Sequence, residues 1–170
     1  YVRDGHYIND RIFTHFARTF HELNGMTWGI LGLGAIGRRV ADIAAMFGAR
    51  VIYYSASGAP AQKGYNQVNF DTLLAESDIL SVQAPMNEYT EGIMDAEAFR
   101  RMKSSAILLN LGRGPIINEA DLAEALNVGE IRAAGLDVLC VEPMSKENPL
   151  LNVRDKDRLF ITPHIAWAAV

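Results

Sequence analysis

Cysteine is nearly absent from this chain, with Cys140 the single one in 170 residues. A lone cysteine excludes an internal disulfide framework and a multi-cysteine zinc site, and it agrees with a reducing compartment, so the cytoplasm is the expected location. No apolar run approaches the ~18 residues that cross a bilayer, and the opening Tyr1-Val2-Arg3-Asp4-Gly5-His6 lacks the pattern of a secretion signal. Position 1 is not Met, from which we expect a piece of a longer protein. Basic residues are neither in excess nor clustered: 16 Lys and Arg stand against 20 Asp and Glu, net −4. The electrostatic footprint of a nucleic-acid binder is therefore missing, and neither nucleic acid nor membrane is an expected partner. Internal repeats and low-complexity tracts are absent too.

What is present suits one packed core: 49% of positions are hydrophobic and 21% charged. Residues 1–24 read as an amphipathic arm. Asn9 or Asp10 can cap a helix over Asp10–Leu23 whose Ile12, Phe13, Phe16, Phe20 and Leu23 recur at three and four, and Asn24-Gly25 stop it. From residue 25 to 170 a different rhythm begins. Short apolar runs at Thr27–Leu31, Arg50–Tyr54, Ile79–Gln83, Ala106–Asn110, Ala133–Leu139 and Arg158–Ile161 alternate with helical stretches at Ile36–Phe47, Phe70–Ala75, Asp95–Met102 and Glu119–Asn127. Strands this apolar on both sides, separated by helices, predict an α/β fold with a parallel sheet of about six strands covered on both faces. The longest irregular stretch runs from Ser55 to Asn69.

Directly after the first predicted strand, Gly32-Leu33-Gly34-Ala35-Ile36-Gly37 forms a G-x-G-x-x-G at the mouth of a helix. In that setting Gly32 permits the tight turn, Gly34 lets a pyrophosphate approach the backbone, and Gly37 lets helix and strand pack closely, which predicts a Rossmann-type doubly wound dinucleotide site. Such sites carry Asp or Glu at the end of the second strand to accept from the adenosine ribose. Here that position is Ser55. Serine removes the charge that would repel a 2′-phosphate, yet no Arg follows it and the nearest loop cation is Lys63, so NAD is expected, with NADP as the alternative.

Ligands of a doubly wound sheet lie beyond the carboxyl ends of its strands. There the sequence places Arg113 after the fourth strand, Asp137 and then Glu142 after the fifth, and His164 after the sixth. Hydride transfer to a 2-oxo acid needs a cation for the carboxylate and carbonyl oxygens, a proton donor for the forming alkoxide and a carboxylate to keep that donor protonated. Arg113, His164 and Glu142 suit those roles in that order, the Arg fork matching a planar carboxylate. His6, His15 and His21 lie in the arm without a second ligand at convincing spacing, so no metal site is expected. Cys140 reads as a small buried apolar residue and Trp28 as core, while Trp167 divides evenly between shaping the site and packing.

These phrases also carry a resemblance. Gly32–Gly37, Asn110-Leu111-Gly112-Arg113-Gly114, Gly135-Leu136-Asp137-Val138 with Glu142-Pro143, and Thr162-Pro163-His164-Ile165-Ala166-Trp167 together resemble the nucleotide-binding domain of the D-isomer-specific 2-hydroxyacid dehydrogenases over essentially the whole chain. The resemblance implies that Arg113 orients substrate, that His164 is the acid/base and Glu142 its partner, and that Ala35 and Ile36 contact pyrophosphate through the backbone. It further implies that Leu111, Gly112 and Arg113 border the nicotinamide, that Asp137 holds its carboxamide, and that the arm contributes to a homodimer. The substrate domain would be absent from this chain. The ending Pro163–Trp167 looks most like the glycerate dehydrogenase/hydroxypyruvate reductase branch, whose substrates are small 2-oxo and 2-hydroxy acids such as hydroxypyruvate or glyoxylate. A phosphoglycerate- or lactate-type dehydrogenase, and a dinucleotide-sensing corepressor-like protein of the same fold, are the competing readings.

Overall fold

A computed structural model describes residues 1–15 and 20–168. Its strands are β1 (Thr27–Leu31), β2 (Arg50–Tyr54), β3 (Asn66–Gln67), β4 (Ile79–Val82), β5 (Ile107–Asn110), β6 (Ala133–Leu136) and β7 (Leu159–Ile161). The helices are α1 (Ala35–Met46), α2 (Phe70–Glu76), α3 (Ala96–Arg101) and α4 (Glu119–Val128). All strand pairs are parallel, in the order β3-β2-β1-β4-β5-β6-β7. The order reverses between β1 and β4, and a crevice opens at that switch point beyond the strand ends.

Local chemistry explains where the helices start. The side chains of Asn69, Asp95 and Asn118 accept from backbone N–H groups in the first turns of α2, α3 and α4, satisfying donors that a helix start otherwise leaves unpaired. Gly129, at φ +81°, ends α4 in the left-handed conformation. Neighbouring strand residues then feed opposite faces. Ile30 and Tyr53 join Leu33 of the following turn and Ala41 of α1 in a small cluster. Leu31 and Ile52, one position along, join the larger cluster built with Leu73, Leu74, Phe99, Leu122 and Leu126 of α2, α3 and α4. Helices on both faces thus follow from strands apolar on both sides.

Two expectations change. The stretch from Ser55 to Asn69, read as irregular, contains the two-residue strand β3, which covers the edge of β2 and is followed by a Val68 N–H donating to the Tyr53 carbonyl at 2.9 Å. Polar Asn66 and Gln67 carry no apolar signal, so the sheet has seven strands rather than about six. The arm helix over Asp10–Leu23 is not observed: among its described residues none is helical, and just before it lies a 3-10 turn at Tyr7–Asn9. Phe16 lies outside the described residues. The physical reason is that Ile12, Phe13 and Phe20 remain exposed, and a short amphipathic helix draws its stability from burying its apolar face.

Candidate active site

Gly32 sits at φ +94°, and a Cβ there would meet the Ala84 backbone at 2.6 Å, so only glycine lets the chain turn out of β1. Gly37 packs against that turn, where a Cβ would lie 2.4 Å from the Gly32 carbonyl oxygen. Between them Gly34 is the N-cap of the 12-residue α1, which has no side-chain cap, and nothing stands within 4 Å of where its Cβ would be. Ala35 and Ile36 are exposed beside it. A positive helix end facing open space through backbone N–H groups fits a dinucleotide pyrophosphate.

Ser55 lies where the second strand ends, lining with Gly32, Gly34, Tyr53, Ser57 and Gln62 a cavity of about 210 Å³. Its Oγ is 3.2 Å from Ser57 Oγ. Gln62 was not singled out from the sequence, and a lone Gln in an irregular loop gives no signal. It closes the cavity wall by donating from its backbone to the Tyr53 hydroxyl (2.8 Å) and from Nε2 to the Leu33 carbonyl (2.9 Å), while Oε1 accepts from Arg38 (3.1 Å).

After β5, the buried Asn110 clasps the following turn: Oδ1 accepts from Gly112 N–H at 3.0 Å and Nδ2 donates to the Arg113 carbonyl at 3.1 Å. The turn presents exposed Leu111 and Arg113 with buried Gly112 between them. Leu111, Gly112 and Arg113 border one cavity with Ile36, which joins the glycine-loop helix to the arginine turn. The Arg113 Nη1 donates to the Gly112 carbonyl at 2.8 Å. No hydrogen bond links Arg113 to Glu142 or His164 among the described residues.

Those two meet directly. His164 Nδ1 lies 2.7 Å from Glu142 Oε2, and Glu142 Oε1 accepts from Leu139 N–H at 2.8 Å. Hydrogen bonding to His164 first, and then to the Leu139 N–H, holds the Glu142 carboxyl below its ordinary pKa. His164 follows β7 at φ +53°, a conformation that a non-glycine residue keeps only when its surroundings enforce it.

Asp137 supplies much of that enforcement. Its Oδ1 accepts from Thr162 Oγ1 (2.6 Å) and Ile165 N–H (2.9 Å), and Oδ2 from Ala166 N–H (2.9 Å), so it grips the chain on both sides of His164. Burial pushes its pKa up, but the bonds from Thr162, Ala166 and Ile165 and the nearby His164 outweigh burial and hold it below the ordinary value. The family resemblance implies only a contact of Asp137 with the nicotinamide carboxamide, and its loop partners, 25 to 29 residues away, leave no signal in the sequence. Asp137, Glu142 and His164 line one cavity of about 450 Å³. Trp167, 78% exposed, donates Nε1 to the His164 carbonyl at 2.8 Å, which places it with the site rather than the core. Trp28 is partly buried, its Nε1 donating to Ser81 Oγ at 3.0 Å.

Cys140 is exposed rather than buried. Its thiol is nevertheless pushed up to about 11 by partial burial and by Glu119, which leaves it a poor nucleophile. No group of three potential metal ligands comes together among the described residues, and no described helix is long and apolar enough to cross a membrane.

Comparison with known proteins agrees with this geometry. The family described as D-isomer specific 2-hydroxyacid dehydrogenase, NAD binding domain, matches residues 1–166. A hydroxypyruvate reductase of Blautia hydrogenotrophica is 44% identical over 149 residues, covering 86% of this chain and 45% of that protein. A glycerate dehydrogenase of Methylorubrum extorquens is 36% identical over 168 residues, covering 99% and 52%. The NAD-complexed structure of a D-isomer specific 2-hydroxyacid dehydrogenase from Lactobacillus delbrueckii superimposes with a TM-score of 0.78 at 31% identity, covering 94% of this chain and 52% of that one. The chain thus spans about half the length of these relatives. With a glycine loop, an arginine turn and a Glu–His pair arrayed along one sheet edge, and a family match over residues 1–166, this chain belongs to the D-isomer specific 2-hydroxyacid dehydrogenases as an NAD binding domain.

Proposed function

We propose that this chain carries the catalytic side chains of an oxidoreductase acting between D-2-hydroxy acids and 2-oxo acids, with hydroxypyruvate/glycerate or glyoxylate as substrate. The observation that carries the reading is the 2.7 Å contact between His164 Nδ1 and Glu142 Oε2 on the sheet edge that also holds the glycine loop. The bound nicotinamide supplies or takes the hydride. His164 gives its proton from Nε2 to the oxygen that becomes the hydroxyl, because Nδ1 is committed to Glu142, and Glu142 balances the imidazolium charge before transfer. Arg113 offers a planar fork of donors to the substrate carboxylate, and among the described residues its guanidinium is held by the bond to the Gly112 carbonyl, which it gives up on swinging out. In the oxidative direction the same groups run in reverse.

For the cofactor, the cavity at Ser55 is lined by no Lys or Arg, and Arg38 is turned to Gln62. A 2′-phosphate would find no Lys or Arg among the residues lining that cavity, which supports NAD over NADP. The arm over residues 1–24 is assigned to a homodimer contact on the strength of its exposed Ile12, Phe13 and Phe20.

The test is a chimaera joining this chain to the remaining portion of the Blautia hydroxypyruvate reductase, assayed for NADH-dependent reduction of hydroxypyruvate and glyoxylate. His164→Ala is expected to lower kcat by roughly 10²–10⁴. Turnover close to the unsubstituted chimaera would overturn the acid/base assignment. Titration of the 170-residue chain with NADH and NADPH checks the cofactor, and tighter NADPH binding would reverse the preference.

A further inference from the structure

We propose that Glu119 is a positioning residue for the Glu142–His164 pair, holding from the start of α4 the loop that carries Glu142. The inference rests on the reading of that pair as the proton-transfer couple. Glu119 is only 9% exposed, and among the described residues no cation stands within ion-pair distance of it. A buried carboxylate without a cation is costly unless donors converge on it. Two do: Oε1 accepts from Cys140 N–H and Oε2 from Asn148 Nδ2, both at 2.8 Å. Both donors belong to the stretch between β6 and β7, one on each side of Glu142. Asn148 is itself buried and fixed, its Oδ1 accepting from Leu150 N–H at 2.9 Å. The N-terminal turn of α4 adds a favourable field for the charge.

The other side of the loop is clamped by backbone. A Cβ on Gly114 would lie 2.0 Å from the Leu139 carbonyl carbon and oxygen and 2.4 Å from Cys140 N. The residue after Arg113 therefore sets the path of the loop that bears Glu142. Leu139 is the donor that fixes Glu142 Oε1, and its neighbour Cys140 is the donor that Glu119 holds. The connection runs from Glu119 through the Leu139–Cys140 backbone to Glu142 and on to His164. A carboxylate is required because both partners are donors. Glutamine in its place turns an NH₂ toward one of them, and Asn148 cannot reverse its amide without abandoning Leu150.

Nuclear magnetic resonance on the 170-residue chain tests this without turnover. In Glu119→Gln the Leu139 amide is expected to shift and the Glu142 carboxyl to titrate closer to an ordinary Glu, while the amides of β1 and β4 stay in place. Asp121→Asn is the control, since Asp121, also on α4, bonds the Ala96 N–H of α3 instead of the loop; it is expected to move neither signal. Asn148→Ala removes the second tie and should act in the same direction as Glu119→Gln, which keeps the test open should either variant fold poorly. An unmoved Glu142 titration in both loop variants, or an equal shift in Asp121→Asn, overturns the inference. In the chimaera, Glu119→Gln should lower kcat by roughly tenfold with KM little changed and alter the pH profile. An inactive unsubstituted chimaera would refute the dehydrogenase reading and leave the spectroscopic result to stand or fall alone.

Discussion

Asp137 accepts three hydrogen bonds while only 6% exposed. Asn at this position would turn an NH₂ toward Thr162, Ile165 or Ala166 and leave a buried donor unpaired, a change worth about 1–3 kcal/mol. Asp137→Asn is therefore expected to lower the unfolding free energy from a urea curve by that amount, and in the chimaera to lower kcat as His164 leaves its left-handed conformation. Acid lability follows from the same groups. Asp137 and Glu142 both have carboxyls held below their ordinary values in the folded chain. The stability they contribute is present above the unfolded carboxylate pKa of about 4 and is lost as pH falls through the folded values. Unfolding free energy should decline below about pH 4, and less steeply in Asp137→Asn. Asp137 should dominate, since solvent screens the half-exposed Glu142 pair.

At the scale of elements, α1 and α4 do different work. In α1, Gly37→Val would force the helix away from the Gly32 turn, and NADH binding is expected to weaken by about tenfold, equivalent to about 1.4 kcal/mol, in a titration of the chain. In α4, Leu122 is fully buried in the larger cluster, so Leu122→Ala should cost about 2–5 kcal/mol in a denaturant curve. The elements were legible in the sequence wherever burial imposed a pattern. Apolar runs located six of the strands because burial selects apolar side chains along them, although Phe160 of β7 stands 74% exposed. β3 was not legible, since an edge pairing of Asn66 and Gln67 depends on backbone alone. The arm helix is the opposite case: Ile12, Phe13 and Phe20 have helical spacing but stay exposed, so among the described residues no burial supports a helix there. For the site, the sequence placed Arg113, Glu142 and His164 after neighbouring strands. Missing were the ties among distant loops, Asp137 to the His164 turn and Glu119 to Cys140, which leave no spacing signal.

For the molecule as a whole, apolar surface is unevenly distributed. Phe13 and Phe20 are each 88% exposed, and Met46 and Phe47 on the outer end of α1 are 86% and 62% exposed. Side chains of this size in water favour association. Phe13→Ser with Phe20→Ser is expected to reduce the concentration-dependent mass seen by sedimentation without changing NADH affinity, because neither residue lines the glycine-loop cavity. The sheet is uneven as well. β7 has three residues and pairs on one side only, with β6, and the His164 turn follows it after two residues. Amide hydrogen exchange should therefore find Phe160 and Ile161 opening far more readily than Leu80 or Leu108 in the middle of the sheet. The His164 turn hangs from this short edge strand, so mild denaturant is expected to break the Glu142–His164 contact while the strands at the middle of the sheet still stand.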